Sequence, residues 1–193
     1  MARLAAAEFD SSNFERGRQK MDTKYDQLTG FHGHSCPGLA IGYRMAKAAM
    51  DFLLESSAKD EELVAIVEND ACGVDAVQCL TGCTFGKGNL IFKDYGKQVY
   101  TFYSRNTRKG IRVAFKGDNI PDFARNSVQE FINWLLSADE KDVVELREVF
   151  VEEPEPAKIH RSVKCEICGE SVMETRVMRI GERCACIPCA QKY

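Results

Sequence analysis

Apolar residues recur along this chain with two different periods, and the switches between them outline the fold. From Cys36 to Ser57, Leu39, Tyr43, Ala46, Met50 and Leu53 return every three or four residues, the spacing of one helix face. Pro37 suits the first helical position, where a missing N–H costs nothing. Glu62 to Glu68, built around Leu63–Val67, has the length and composition of a buried strand. Asn69-Asp70 then supplies a cap for a second helix, predicted over Ala71 to Thr81 or slightly beyond. The glycines at Gly82, Gly86 and Gly88 end it. Two strands follow, Lys97–Ser104 and Gly110–Lys116. In the second, Ile111, Val113 and Phe115 alternate with Arg112, Ala114 and Lys116, and residues 105–109 form the hairpin loop. Asp122–Ser137 is predicted as an amphipathic helix carrying Phe123, Val128, Phe131, Ile132 and Leu135, and Val143–Val151 as a last strand. The order helix, strand, helix, strands predicts an α+β fold with a mixed sheet.

Beyond Val151 the pattern changes. Glu152-Glu153-Pro154-Glu155-Pro156 is a charged stretch whose prolines continue neither a helix nor a central strand. The domain reading is therefore residues 1–151 as an α+β domain, 152–164 as an acidic, proline-bearing linker, and 165–193 as a small finger. A tail that short cannot build an adequate hydrophobic core and needs a staple.

Composition removes several classes of function. The chain has 193 residues, 45% hydrophobic and 28% charged, the balance of a globular protein able to bury a core. A net charge of −3 offers no electrostatic footing for nucleic acid. No apolar run approaches the roughly 20 residues that span a bilayer, so no membrane association is expected. The first residues soon turn polar, which argues against a secretory signal and for the cytoplasm. Nine cysteines are too few for a disulfide scaffold and odd in number. In a reducing compartment, clustered cysteines point to metal or redox chemistry.

The tail carries the more regular cluster. Cys165 and Cys168, then Cys186 and Cys189, are two pairs, each with a two-residue gap, so both thiolates of a knuckle reach one ion. Two such knuckles complete a tetrahedral four-sulfur shell. Val172–Met178, a turn at Ile180-Gly181-Glu182, and Arg183–Ala185 are predicted as a hairpin between them, an arrangement that resembles a treble-clef or zinc-ribbon finger. Zn²⁺ is the expected metal, although iron takes the same geometry. Cys184 is a spare thiol that could replace Cys186 as ligand. His160 belongs with the linker.

The second cluster is less regular. His32, His34 and Cys36 precede a helix, and Cys36 falls near its N-cap, where free amides and the helix dipole favour a thiolate. Cys72 repeats the idea about two residues into the helix that Asp70 caps. From Cys72 onward, Asp75, Cys79 and Cys83 share one helical stripe if the helix extends that far. Thiolates and imidazole beside a carboxylate make a plausible transition-metal shell with an open position. Within it Cys79 is better placed in the core. Asp75 is either a complement to the helix N-terminus or part of the pocket. The Gly82–Gly88 stretch has the wrong spacing for a phosphate loop, and Lys87 belongs to a tight turn.

Three segments, Phe31–Arg44, Glu68–Lys97 and Cys165–Cys189, resemble the FmdE family of formylmethanofuran dehydrogenase proteins. The resemblance implies an α+β core with a mixed sheet joined to a zinc finger, in a protein that forms a homodimer. The family's His-Gly-His-x-Cys-Pro segment maps onto His32, His34 and Cys36, its Cys-Gly-x-Asp-Ala segment onto Cys72 and Asp75, and its Gly-Cys-Thr segment onto Cys83. Together they imply a main-domain metal site at His34, Cys36, Cys72 and Cys83, with His32 and Asp75 as further pocket residues. The dehydrogenase of that name interconverts carbon dioxide and formylmethanofuran on a molybdenum or tungsten pterin held by other subunits, and nothing here resembles a pterin-binding chain. Two functions follow as expectations. One is a metal-binding accessory or regulatory subunit linked to such a complex; the other is a stand-alone metalloenzyme using the His/Cys pocket. Thiol redox work without metal is the weaker third, because the main domain has no Cys-x-x-Cys pair.

Overall fold

A computed structural model describes residues 23–55 and 57–192. The polar start of the chain, which bears on the secretory signal, lies outside the described residues. Among the described residues six α-helices and nine strands follow in order: α1 (Thr23–His32), α2 (Pro37–Leu53), β1 (Leu63–Val67), α3 (Gly73–Thr81), β2 (Leu90–Phe92), β3 (Val99–Ser104), β4 (Gly110–Phe115), α4 (Val128–Ser137), α5 (Glu140–Val143), β5 (Val144–Val149), β6 (Ser162–Lys164), β7 (Ser171–Met173), β8 (Val177–Ile180), β9 (Arg183–Cys186) and α6 (Ile187–Ala190). The chain divides into two compact units between Glu155 and Pro156.

The larger unit is α+β around one mixed sheet, ordered β2-β1-β3-β4-β5. Strands β1 and β2 run parallel, Ala65 opposite Leu90, because α3 carries the chain between them; the other neighbours are antiparallel. One sheet face presents Ala65, Val67, Tyr100, Phe102, Ile111 and Val113 to the helices, the period-2 pattern that the sequence displays most clearly in β4. Helix α2 is buried on most of its circumference, through Leu39, Ala40, Tyr43, Met45, Ala46 and Ala49 among others, because it packs against the sheet, α3 and α4 at once. Small residues make that possible. A Cβ on Gly42 would collide with the Gly73 carbonyl and Cα, so the α2 and α3 backbones touch there.

Some boundaries differ from expectation. The helix predicted from Asp122 is a 3-10 turn at Asp122–Arg125, and α4 begins only at Val128. Ser127, extended at φ −152°, accepts from the Glu130 N–H at 3.1 Å and donates back to the Glu130 carboxylate. Ser127 is thus the N-cap, the role that a Ser at this position followed by Glu three residues later encodes. Helix α1 and strand β2 carry no strong periodicity and were not predicted. In the tail, the strand predicted over Val172–Met178 is interrupted by a 3-10 turn at Glu174–Arg176, giving two hairpins, β6–β7 and β8–β9, in place of one. Among the described residues no helix is long and apolar enough to cross a membrane.

Gly42→Ala forces the α2–α3 contact apart. Overpacking of this kind costs about 1–3 kcal/mol, so urea unfolding of the variant should show a lowered midpoint with an unchanged slope. An unchanged midpoint would mean the two helices do not touch at this point.

Candidate metal centres

Three helix ends converge at the first site. Cys36 is the N-cap of α2, with extended backbone at φ −146°, and its Sγ accepts from the Leu39 N–H at 3.3 Å. Cys72 is the N-cap of α3, but its side chain makes no capping bond. What sets its position is Asn69: Oδ1 accepts from the Ala71 N–H at 3.1 Å, and Nδ2 donates to the Lys97 carbonyl at 2.6 Å and to Gln98 at 2.5 Å. The buried Tyr100 hydroxyl donates to the same Asn69 Oδ1. Asp70, read from the sequence as the cap, is therefore displaced by its neighbour. His32 closes α1, and its Nδ1 faces Asp75 Oδ2 at 2.7 Å while its Nε2 lies 3.8 Å from Cys36 Sγ.

One ligating atom each from His32, Cys36 and Cys72 lie within 4.8 Å of one another. Because Asp75 is a carboxylate, the His32 proton sits on Nδ1, leaving the Nε2 lone pair on the side of the two sulfurs. The imidazole is only 11% exposed, so this orientation is held by packing as well as by the hydrogen bond to Asp75. Asp75 thus serves the pocket through His32, and its position at the first turn of α3 is what delivers it.

The sequence-based ligand set is redrawn in two places. His34 is exposed and stays outside the group, its ring lying 4.7 Å from that of His32. Cys83 is drawn into the core. Gly82, at φ +69°, ends α3 in a left-handed cap, so the predicted stripe stops before reaching Cys83. Its Sγ donates to the Leu63 carbonyl at 3.2 Å, and burial pushes the thiol up to about 11. Cys79, expected in the core, is the exposed member of the pair. Nor does the helix start favour a thiolate at Cys72: burial, and then the neighbouring Cys36, raises that thiol. Lys87 donates to the Ala58 and Asp60 carbonyls and latches the turn.

The tail brings Cys165, Cys168, Cys186 and Cys189 within the same 4.8 Å limit. Gly169, at φ +76°, turns the first knuckle, and the Cys186 N–H donates to Cys165 Sγ at 3.3 Å. Cys184 lies outside the group; its N–H bonds Glu166 Oε1 at 3.1 Å, which leaves Cys186 as the clustered thiol. Amides of Cys168, Cys186 and Ile167 pull the Cys165 thiol down to about 6, whereas the Cys186 side chain, then burial, push Cys189 up to about 12. Four sulfurs pressed together can shed one proton easily and the last only with difficulty, the behaviour of a donor set built for a cation. The unit buries only Cys165, Ala185 and Cys186 as a core, with Ile167, Val172 and Ile180 packed around them. A cluster that could hold a metal ion is therefore also the middle of this zinc-ribbon-like finger.

Residues 31–167 match the family model for FmdE, molybdenum formylmethanofuran dehydrogenase operon. A protein of Archaeoglobus fulgidus named "Probable S-adenosyl-L-methionine-binding protein" is 34% identical over 84% of this chain and 51% of its own length. The chain thus spans about half the length of that curated relative. The crystal structure of a tungsten formylmethanofuran dehydrogenase FmdE-like protein from Syntrophus aciditrophicus superimposes with a TM-score of 0.69 at 28% identity, covering 88% of this chain and 91% of that one.

The placements of Cys79 and Cys83 are tested by alkylation. Iodoacetamide added to the native chain should modify Cys79 readily and spare Cys83 until urea unfolds the protein, as peptide mass spectrometry will record. Equal rates would contradict the core position of Cys83.

Proposed function

The chain belongs to the FmdE family, and from that membership and the two thiol clusters we propose that it is a two-centre metal protein acting as an accessory or regulatory subunit of formylmethanofuran dehydrogenase-type one-carbon metabolism. The observation that carries this reading is the difference between the centres. The tail offers four sulfurs, a complete tetrahedral set of the kind that makes a closed structural Zn²⁺ site. The main-unit pocket offers one imidazole and two sulfurs, with a carboxylate behind the imidazole. Three protein donors leave a coordination position free for a water or a partner's group. Cys36, Cys72 and His32 would hold the metal there, with zinc the first choice. Asp75 fixes the tautomer and heading of His32.

In this role the pocket senses or holds a metal while the finger docks the protein to its mate or to the larger complex. We place the protein in the cytoplasm as a homodimer. The three-donor shell also favours a second reading, a stand-alone metalloenzyme. A bound metal would supply Lewis acidity at the free position. The chain's own contribution would be to orient His32 through Asp75 and to keep the two sulfurs at a fixed separation through Gly38 and the Gly42–Gly73 contact, since a Cβ on Gly38 would sit 3.1 Å from Cys72 Cβ.

Metal analysis of anaerobically purified chain separates the parts. Two equivalents are expected, one lost in Cys36→Ser and the other in Cys168→Ser. One equivalent that survives Cys36→Ser would overturn the main-unit site, and strong visible absorption would replace zinc by iron. Asp75→Asn should weaken metal binding at the main pocket about 10–100-fold without emptying the tail, measured by competition with a chromophoric chelator. A turnover of substrate by the isolated dimer would favour the enzyme reading over the accessory one. Solution mass at twice that of the chain supports the dimer; a monomer refutes it.

A further inference from the structure

The two sulfurs of the main-unit pocket face each other as well as His32. Cys36 Sγ and Cys72 Sγ lie within 4.8 Å, and they come from different helices, 36 positions apart in sequence. The space between those helix starts is kept open by Gly38, where a Cβ would lie 3.8 Å from one sulfur and 4.0 Å from the other. The backbones that carry them are held by the Gly42–Gly73 contact, so the two sulfurs stay neighbours. Cys72 is exposed and Cys36 partly exposed, so a small oxidant reaches both. The other two main-unit cysteines lack these conditions: Cys83 is buried with its Sγ on the Leu63 carbonyl, and Cys79 lies outside both thiol groups.

We propose that Cys36 and Cys72 form a reversible dithiol–disulfide pair whose oxidant is hydrogen peroxide. One sulfur attacks a peroxide oxygen; the O–O bond breaks, its thiol proton leaves with the departing hydroxide as water, and a sulfenic acid remains. The second sulfur attacks that sulfenic sulfur; the S–S bond forms, the S–O bond breaks, and the second thiol proton leaves in another water. Two thiols are oxidised by two electrons and one peroxide is reduced to two waters. The disulfide takes both sulfur donors out of the pocket and leaves His32 alone, so metal occupancy becomes dependent on redox state. That last consequence rests on the metal reading above; the disulfide does not.

The test treats the anaerobically purified full-length chain, as isolated and after chelator treatment, with an equimolar amount of hydrogen peroxide. Peptides are mapped without reduction, and metal content is measured on the same samples. A Cys36–Cys72 cross-linked peptide, two hydrogens lighter than the reduced pair and reopened by dithiothreitol, is the expected result. It should persist in Cys79→Ser and vanish in Cys72→Ser, where Cys36 should instead stop at a sulfenic acid that dimedone traps. Sulfinic or sulfonic acid in the wild type without that cross-link would overturn the proposal, and so would cross-links that join only Cys79 or tail cysteines. The metal reading fails separately: a reduced chain whose main pocket never holds an ion refutes it even where the cross-link forms.

Discussion

Two glycines on neighbouring helices let the α2 and α3 backbones meet, and the main-unit pocket inherits its geometry from that contact. Side chains at Gly42 or Gly73 would push the helices apart; a Cβ on Gly73 would lie 2.5 Å from the Tyr100 hydroxyl as well. With the helices in contact, their N-terminal ends come together, and those ends carry Cys36 and Cys72. Asn69 then fixes the entry into α3 by bonding Ala71 on one side and the Lys97 carbonyl and Gln98 side chain on the other. The result is a rigid pair of sulfurs to which α1 adds His32. A small displacement of either helix would separate the donors, which is why the packing of small residues that carry no donor matters to the chemistry.

The two centres show two ways of holding thiols together. In the larger unit a hydrophobic core of fully buried residues such as Phe102, Leu39, Met45 and Leu135 does the folding, and the sulfurs are positioned as a by-product of helix packing. In the tail there is almost no core, so the thiols sit at the centre of the unit themselves. Metal binding there and folding there are one free-energy change. In the larger unit the apolar core carries the fold, so an ion bound at that pocket would be separable from folding.

Local sequence signals were legible where one residue type decides the outcome by itself. Pro37 placed the start of α2, although the helix stops at Leu53 and not at Ser57, and the alternation of Ile111, Val113 and Phe115 placed β4. The paired two-residue gaps placed all four clustered tail sulfurs. Other signals were present but outweighed: Ser127 and Glu130 encode a cap that the continuous apolar pattern from Phe123 obscures. Helix α1 has no amphipathic stripe of its own, and its helicity depends on burying Tyr25 and Leu28 against its neighbours. A one-dimensional pattern does not carry that information.

By itself, the sequence determined the α+β class and a tail whose four cysteines are paired at ligand spacing, and it named the donor residues of the larger unit. Only the tertiary structure decided which of them meet. The resemblance put His34 in the ligand set and His32 beside it, yet α1 ends where His32 can reach Asp75 and Cys36 while His34 is left exposed. Cys83 shares a helical stripe with Cys72 on paper, but a left-handed Gly82 turns the chain into the core before it arrives. Donor chemistry is a property of residue types and can be read in order along the chain. Donor convergence depends on where helices stop and how closely they cross, and those are set by packing.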